Sequence, residues 1–173
     1  MFGWRITKYD PAYRNAAGAY LKDEWTSVSD IGKSFDSKPL TVEEYRSVED
    51  AYVSTALRFL SEANLNCLNV TSLETHNVAK ANASLGREAS LNPALITKGM
   101  IVCDETLDHL CRLVLREVLW CRLESSSSFH IHFGWDYYMY VGSPCASEKS
   151  LAYGKQHGLF LEPMASPYLS NAA

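Results

Sequence analysis

No run in this chain approaches the roughly 20 apolar residues that a membrane-spanning helix needs. Its first ten residues, MFGWRITKYD, also lack the apolar stretch of a signal peptide. These absences set the expectation of a cytoplasmic protein that does not engage a membrane. Excess positive charge is missing too: 16 Lys and Arg stand against 20 Asp and Glu, a net charge of −4. Clustered cations are what hold a phosphate backbone, so nucleic-acid binding is not expected. The five cysteines, Cys67, Cys103, Cys111, Cys121 and Cys145, are odd in number and form no Cys-x-x-Cys pair. Neither a disulfide framework nor a zinc ribbon is indicated. Gly-x-Ser-x-Gly, Gly-x-x-x-x-Gly-Lys-Ser/Thr and Gly-x-Gly-x-x-Gly are all absent, which leaves a hydrolase elbow and the phosphate-cradling loops unsupported. No catalytic residue and no cofactor is assigned.

What is present fits one domain over residues 1–173, long enough to bury roughly two thirds of its unfolded surface. Hydrophobic residues at 47% and charged residues at 21% are the balance of a globular protein. Residues 2–9 alternate as a first strand, with Trp4 and Ile6 on one face, until Asp10-Pro11 breaks it. Residues 24–27 read as a second short strand, and 29–32 as one capped helical turn closed by Gly32. Thr41 and Glu44 have capping-box spacing, and Tyr45, Val48, Tyr52, Ala56, Phe59, Leu60 and Ala63 follow at helical spacing, predicting a helix over 41–64. Leu107, Leu110, Cys111, Val114, Leu115, Val118 and Leu119 form a second apolar stripe, predicting a helix over 105–122 capped by Asp104 or Thr106. Strands are expected at 67–73 and 100–103, and residues 76–99 mix helical pattern with turn residues. A polar hinge at 125–128 leads into one strand, straight or bulged, over 129–141; a short helix over 147–157 ends at Gly158 before a final strand at 159–161. The class is α+β, with a mainly antiparallel sheet and at least two packed amphipathic helices.

Segment 129–141, FHIHFGWDYYMYV, concentrates the unusual residues. Strand periodicity puts His130 and His132 on one face and Phe129, Ile131 and Phe133 on the other. Two imidazoles at i and i+2 stand about 6.5–7 Å apart, close enough to share a metal ion. Asp136, Glu124 or Asp104 would then add a carboxylate, and His76, His109 or His157 a further imidazole. A half-solvated strand also needs polar residues on its outer face, and that reading of His-x-His requires no metal. Beyond Gly134, Tyr138 and Tyr140 share a face whose composition suits a protein interface. A second cluster, from Trp4 to Trp25, mixes aromatics with both charge signs. Cys103 beside Asp104 can be drawn as a thiol nucleophile, with nothing to prefer it over a buried thiol.

Three stretches, WRITKYDP (4–11), DEWTSVSDIG (23–32) and FGWDYYMY (133–140), resemble small bacterial cytosolic proteins. Some of those proteins are similar to immunity proteins of polymorphic or contact-dependent toxin systems. The resemblance implies a non-enzymatic inhibitor that binds a toxin domain and blocks its active site. It carries over no individual residue. Taken with the residues themselves, the leading expectation is a protein-binding immunity or regulatory protein that contacts a cognate toxin or other protein through Asp23, Glu24, Trp25, Asp136, Tyr138 and Tyr140. One alternative is a small metal-dependent hydrolase built on His130, His132 and Asp136. Another is a homo-oligomer that uses the aromatic strand as a sheet edge.

Overall fold

The computed structural model describes residues 1–75, 91–126 and 128–169. The N-terminal alternation forms β1 (Phe2–Thr7), and Asp10 caps a single 3-10 turn at Pro11–Tyr13 where proline stops the strand. Residues 24–27 are not a strand. Ser27 instead caps a 3-10 turn at Val28–Asp30, and the Asp30 carboxylate accepts from the Thr26 and Ser27 amides. A two-stranded hairpin that the sequence did not signal follows, β2 (Ser34–Phe35) and β3 (Lys38–Pro39). Helix α1 (Val42–Glu62) begins where Thr41 Oγ1 accepts the Glu44 amide. It ends at Asn64, whose φ of 55° is a left-handed value that asparagine tolerates.

Next come β4 (Cys67–Thr75), β5 (Ile101–Cys103) and α2 (Asp104–Leu115). The expected second helix runs to 122, but α2 stops seven residues earlier. Glu117 takes φ 58°, its amide bonds to the Val114 carbonyl, and the Val118 amide bonds back to Leu113. That is a Schellman ending with glutamate where glycine is usual, so the sequence carries no stop signal there. Val118 and Leu119 keep the apolar pattern because they enter β6 (Leu119–Glu124), which is buried on the same side. The remaining elements are β7 (His130–Phe133), β8 (Met139–Ser143), α3 (Glu148–Gln156), ended by Gly158 as expected, and β9 (Phe160–Pro163). Expectations for residues 76–90 lie outside the described residues.

Seven strands form one antiparallel sheet in the order β5-β4-β6-β7-β8-β1-β9. The register aligns Leu123, Ile131, Val141 and Trp4 across one face. The helices pack on that face, and the joint core includes Tyr45, Tyr52, Phe59, Leu107, Leu110 and Val114. The other face carries Arg122, His132, Tyr140 and Arg5 in a row. Residues 164–168 cross back over it. The Met164 amide bonds to the Gly3 carbonyl, and Arg122 donates to the Tyr168 carbonyl. A Cβ at Gly3 would lie 2.8 Å from the Met164 carbonyl oxygen, so the crossing needs glycine there. Among the described residues no helix is long and apolar enough to cross a membrane.

Two tethers fix the helical layer and one end of the sheet. Glu49 on α1 is fully buried, and both its oxygens receive the Arg116 guanidinium at 2.7 Å. Arg112 adds bonds to Glu49 at 3.1 Å, Asp50 at 2.6 Å and Asp108 at 2.7 Å. The second tether corrects an expectation: Cys67 and Cys103, directly opposite each other in β4 and β5, form a disulfide across 36 residues. The sequence spacing concealed it because the two partners meet only through strand pairing, and the bond removes Cys103 as a candidate nucleophile.

Breaking these tethers has distinct expected outcomes. Glu49→Gln leaves buried guanidinium charge under-compensated and is expected to lose about 3–5 kcal/mol in denaturant titration, whereas Lys33→Ala, which removes an exposed pair with Asp30, is expected to lose under about 1 kcal/mol. Closing a loop of 36 residues restricts the unfolded chain, so a reductant is expected to lower stability by about 3–4 kcal/mol. Superimposable titrations with and without reductant would show that the bond does not form in solution.

Candidate functional site

Segment 129–141 is not one strand. Gly134 donates its amide to the Tyr138 carbonyl at 2.7 Å, Tyr138 donates to the Trp135 carbonyl at 3.2 Å, and the chain reverses between β7 and β8. Asp136 and Tyr137 both take positive φ, 56° and 61°, the sign that a primed hairpin turn requires. Without glycine each such residue costs about 1–2 kcal/mol, so the surroundings must hold the turn. Two buried hydroxyls do so: Tyr9 donates to the Asp136 carbonyl at 2.7 Å and Tyr52 to the Tyr137 carbonyl at 2.8 Å. Burial pushes both phenols well above their ordinary range, so they remain donors at neutral pH. The Tyr137 ring is buried against Trp25, Tyr45 and Tyr52, with centroids 4.9, 5.9 and 5.3 Å away.

A consequence of this clamp is that Trp135 stands 78% exposed at the tip. It walls a cavity of about 320 Å³ between the β7–β8 turn and the α2–β6 turn. Val114, Leu115 and Leu119 supply aliphatic surface, and Trp120, Phe133 and Tyr137 supply aromatic surface. Trp120 is fixed because its indole N–H donates to the Phe133 carbonyl at 2.8 Å. Glu117 and Asp136, both exposed, bring carboxylates to the lining, and none of the described lining residues is a Lys, Arg or His.

The residues expected at a partner surface divide. Asp23 and Asp136 are exposed. Trp25 is only 6% exposed and its ring lies 5.6 Å from that of Tyr45, so it belongs to the core. Glu24 is spent internally: it pairs with Lys8 at 3.1 Å and accepts the Tyr20 hydroxyl at 2.6 Å. Lys8 in turn lies 4.2 Å over Tyr9 and 4.3 Å over Trp25. Tyr138 and Tyr140 are half-buried, and the Tyr138 hydroxyl accepts from Arg14 at 2.9 Å. Trp135 was missed as an anchor because a continuous strand makes it one interior position among many. Gly134 followed by Asp136 was the available turn signal.

His130 and His132 do share a face, stacked with ring centroids 4.4 Å apart, but they are buried at 4% and 0% exposure rather than solvated. His132 lies between Ser166 Oγ, 2.8 Å from Nδ1, and Glu124 Oε1, 2.9 Å from Nε2. A carboxylate only accepts, so Nε2 carries the proton and Nδ1 accepts from the serine. The group joins the C-terminal crossing to the sheet. Asp136 is in the turn and does not join the histidines, and among the described residues no three His, Cys, Asp or Glu side chains could hold a metal. His157 stacks on Tyr153, while His76 lies outside the described residues. The described residues thus offer the hydrolase reading no metal centre. Nor is the aromatic segment a sheet edge, because β6 and β1 flank β7 and β8. His130 fits only because Gly142 opposite it has no side chain; a Cβ there would overlap the imidazole. Comparison with protein-family models, curated proteins and solved structures finds no match.

Burial, and then the neighbouring His132, lower His130 from an ordinary 6.5 to about 4. A histidine depressed in this way is neutral when folded. Its contribution is therefore complete above pH 6.5 and is lost as pH falls from 6.5 through about 4. Stability is expected to fall by up to about 2 kcal/mol across that window. His130→Gln should flatten the profile in denaturant titrations, and an unchanged slope would assign the dependence to other groups.

Proposed function

We propose that this chain is a non-enzymatic protein-binding module, an immunity or regulatory protein whose partner is a cognate bacterial toxin, and that Trp135 is the anchor of its interface. The observation that carries the reading is an exposed indole held on a strained turn by two buried tyrosine hydroxyls. Interfaces draw most of their affinity from a few aromatic or arginine anchors. A turn whose backbone is fixed before binding loses little conformational freedom when it docks. Burying an indole of about 200 Å² would contribute about 4–5 kcal/mol before those losses. Strain of this kind concentrates where a structure presents a contact.

The exposed carboxylates of Asp136, Glu117 and Asp23 give the surface an acidic character that suits a basic partner face. Glu24 and Trp25 support that surface from beneath, since Trp25 packs under Tyr137. A cytoplasmic address is part of the proposal. In that compartment the Cys67–Cys103 bond would form only under oxidising conditions.

Co-expression with the product of an adjacent gene is expected to yield a stable complex and to protect cells from that product. Trp135→Ala is expected to weaken the complex by about 2–4 kcal/mol, or roughly 30- to 1,000-fold, in calorimetric titration. The turn should survive because the tyrosine bonds go to backbone carbonyls of other residues. A Trp135→Ala protein that binds its partner with unchanged affinity would remove the indole from the interface.

A further inference from the structure

We infer that the cavity beside Trp135 receives a cationic side chain, an arginine or lysine presented by the partner protein, with its aliphatic stem along the apolar walls and its charged head at Glu117 and Asp136. The inference rests on the reading of Trp135 as the interface anchor and names what enters beside it.

Four observations converge on a cation. The first is charge: the lining holds two exposed carboxylates and, among the described residues, no positive group. The second is the state of those carboxylates. Glu24, Asp30, Glu49, Asp50, Asp108, Glu124 and Glu162 are all engaged by cationic or histidine side chains of this chain. Neither Glu117 nor Asp136 makes a side-chain hydrogen bond or ion pair with a described residue; Asp136 is held through its carbonyl oxygen alone. Both also take positive φ, at 58° and 56°, so two turns without glycine bring unpaired carboxylates to one cavity.

The third observation is the helix. Val114, Leu115 and Glu117 line the cavity from the C-terminal end of α2, where aligned peptide dipoles leave partial negative charge that favours a cation. The fourth is the aromatic border of Trp120, Phe133, Trp135 and Tyr137, whose ring faces attract a guanidinium or ammonium at a further gain of about 0.5–2 kcal/mol. A volume of about 320 Å³ stands at the small end of ligand sites and suits one long side chain. A hard metal ion would need about six oxygen ligands, and the cavity offers two carboxylates among apolar walls.

The test uses the full chain and two probes of equal shape, N-acetylarginine methylamide and its neutral counterpart N-acetylcitrulline methylamide, with the Trp135 indole resonance as readout. The arginine probe is expected to shift that resonance saturably in the millimolar range and to bind about tenfold more tightly than the citrulline probe. The preference should disappear in Glu117→Gln/Asp136→Asn, whose asparagine still tolerates the left-handed backbone, and should weaken at high salt. Equal binding of both probes, no saturable shift with arginine, or an unchanged preference in the double variant would each overturn the inference. The two readings fail separately: if Trp135→Ala weakens the partner complex while Glu117→Gln/Asp136→Asn does not, only the cationic occupant is wrong, and if Trp135→Ala leaves the complex unchanged, the anchor is wrong. Thermal melts of both variants confirm that they remain folded.

Discussion

The buried Glu49–Arg116 pair is the contact on which the geometry of this protein turns. A carboxylate without access to water is unfavourable unless its charge is matched and its lone pairs are filled. The bidentate Arg116 and the added Arg112 supply both. Arg116 is the residue that ends α2, so the demand of one buried charge fixes where that helix stops against α1. The Tyr45 hydroxyl, donating to the Leu115 carbonyl, holds the same end from α1 as well. From there Glu117 turns outward and β6 enters the sheet.

The β7–β8 turn is held by the same layer of α1. Tyr52, about two helical turns along from Tyr45 and less than one from Glu49, reaches the carbonyl of Tyr137, and Tyr9 from beyond β1 reaches that of Asp136. The two turns that flank the cavity are thus both anchored to one helix face. Each contains non-glycine residues at positive φ, and each is stabilised by bonds from elsewhere in the fold instead of by its own residue types. An exposed indole on a braced turn, beside an unpaired acidic rim, is the outcome at the surface.

The opposite face of the sheet shows how easily chemistry can be read into a structural interior. His130, His132, Glu124 and Ser166 have the residue types of a catalytic or metal-binding set. Ser166, His132 and Glu124 instead form a buried hydrogen-bonded chain that fastens the C-terminal crossing to the strands, and His130 only stacks on His132. Gly142 and Gly3, paired with each other across β8 and β1, leave the room that the imidazole and the crossing need. Burial keeps His130 neutral, which lets it stack on its neighbour without charge repulsion.

Local sequence determined much of the architecture by itself. The apolar stripes of α1 and α2, Thr41 as a cap, Gly158 as a stop and the alternation of β1 are set by residues within a few positions of one another, so their spacing is legible in a linear string. The α+β class follows from them. What only the tertiary structure decided has long-range causes. The end of α2 depends on Glu49, 67 residues away from Arg116. The turn at Trp135 depends on hydroxyls 127 and 85 positions distant. The disulfide depends on the pairing of β4 with β5. No local pattern encodes such contacts, because they are chosen by the burial of charge and the satisfaction of backbone carbonyls once the sheet has formed. That is why a segment read as one aromatic strand became two strands and an exposed tryptophan.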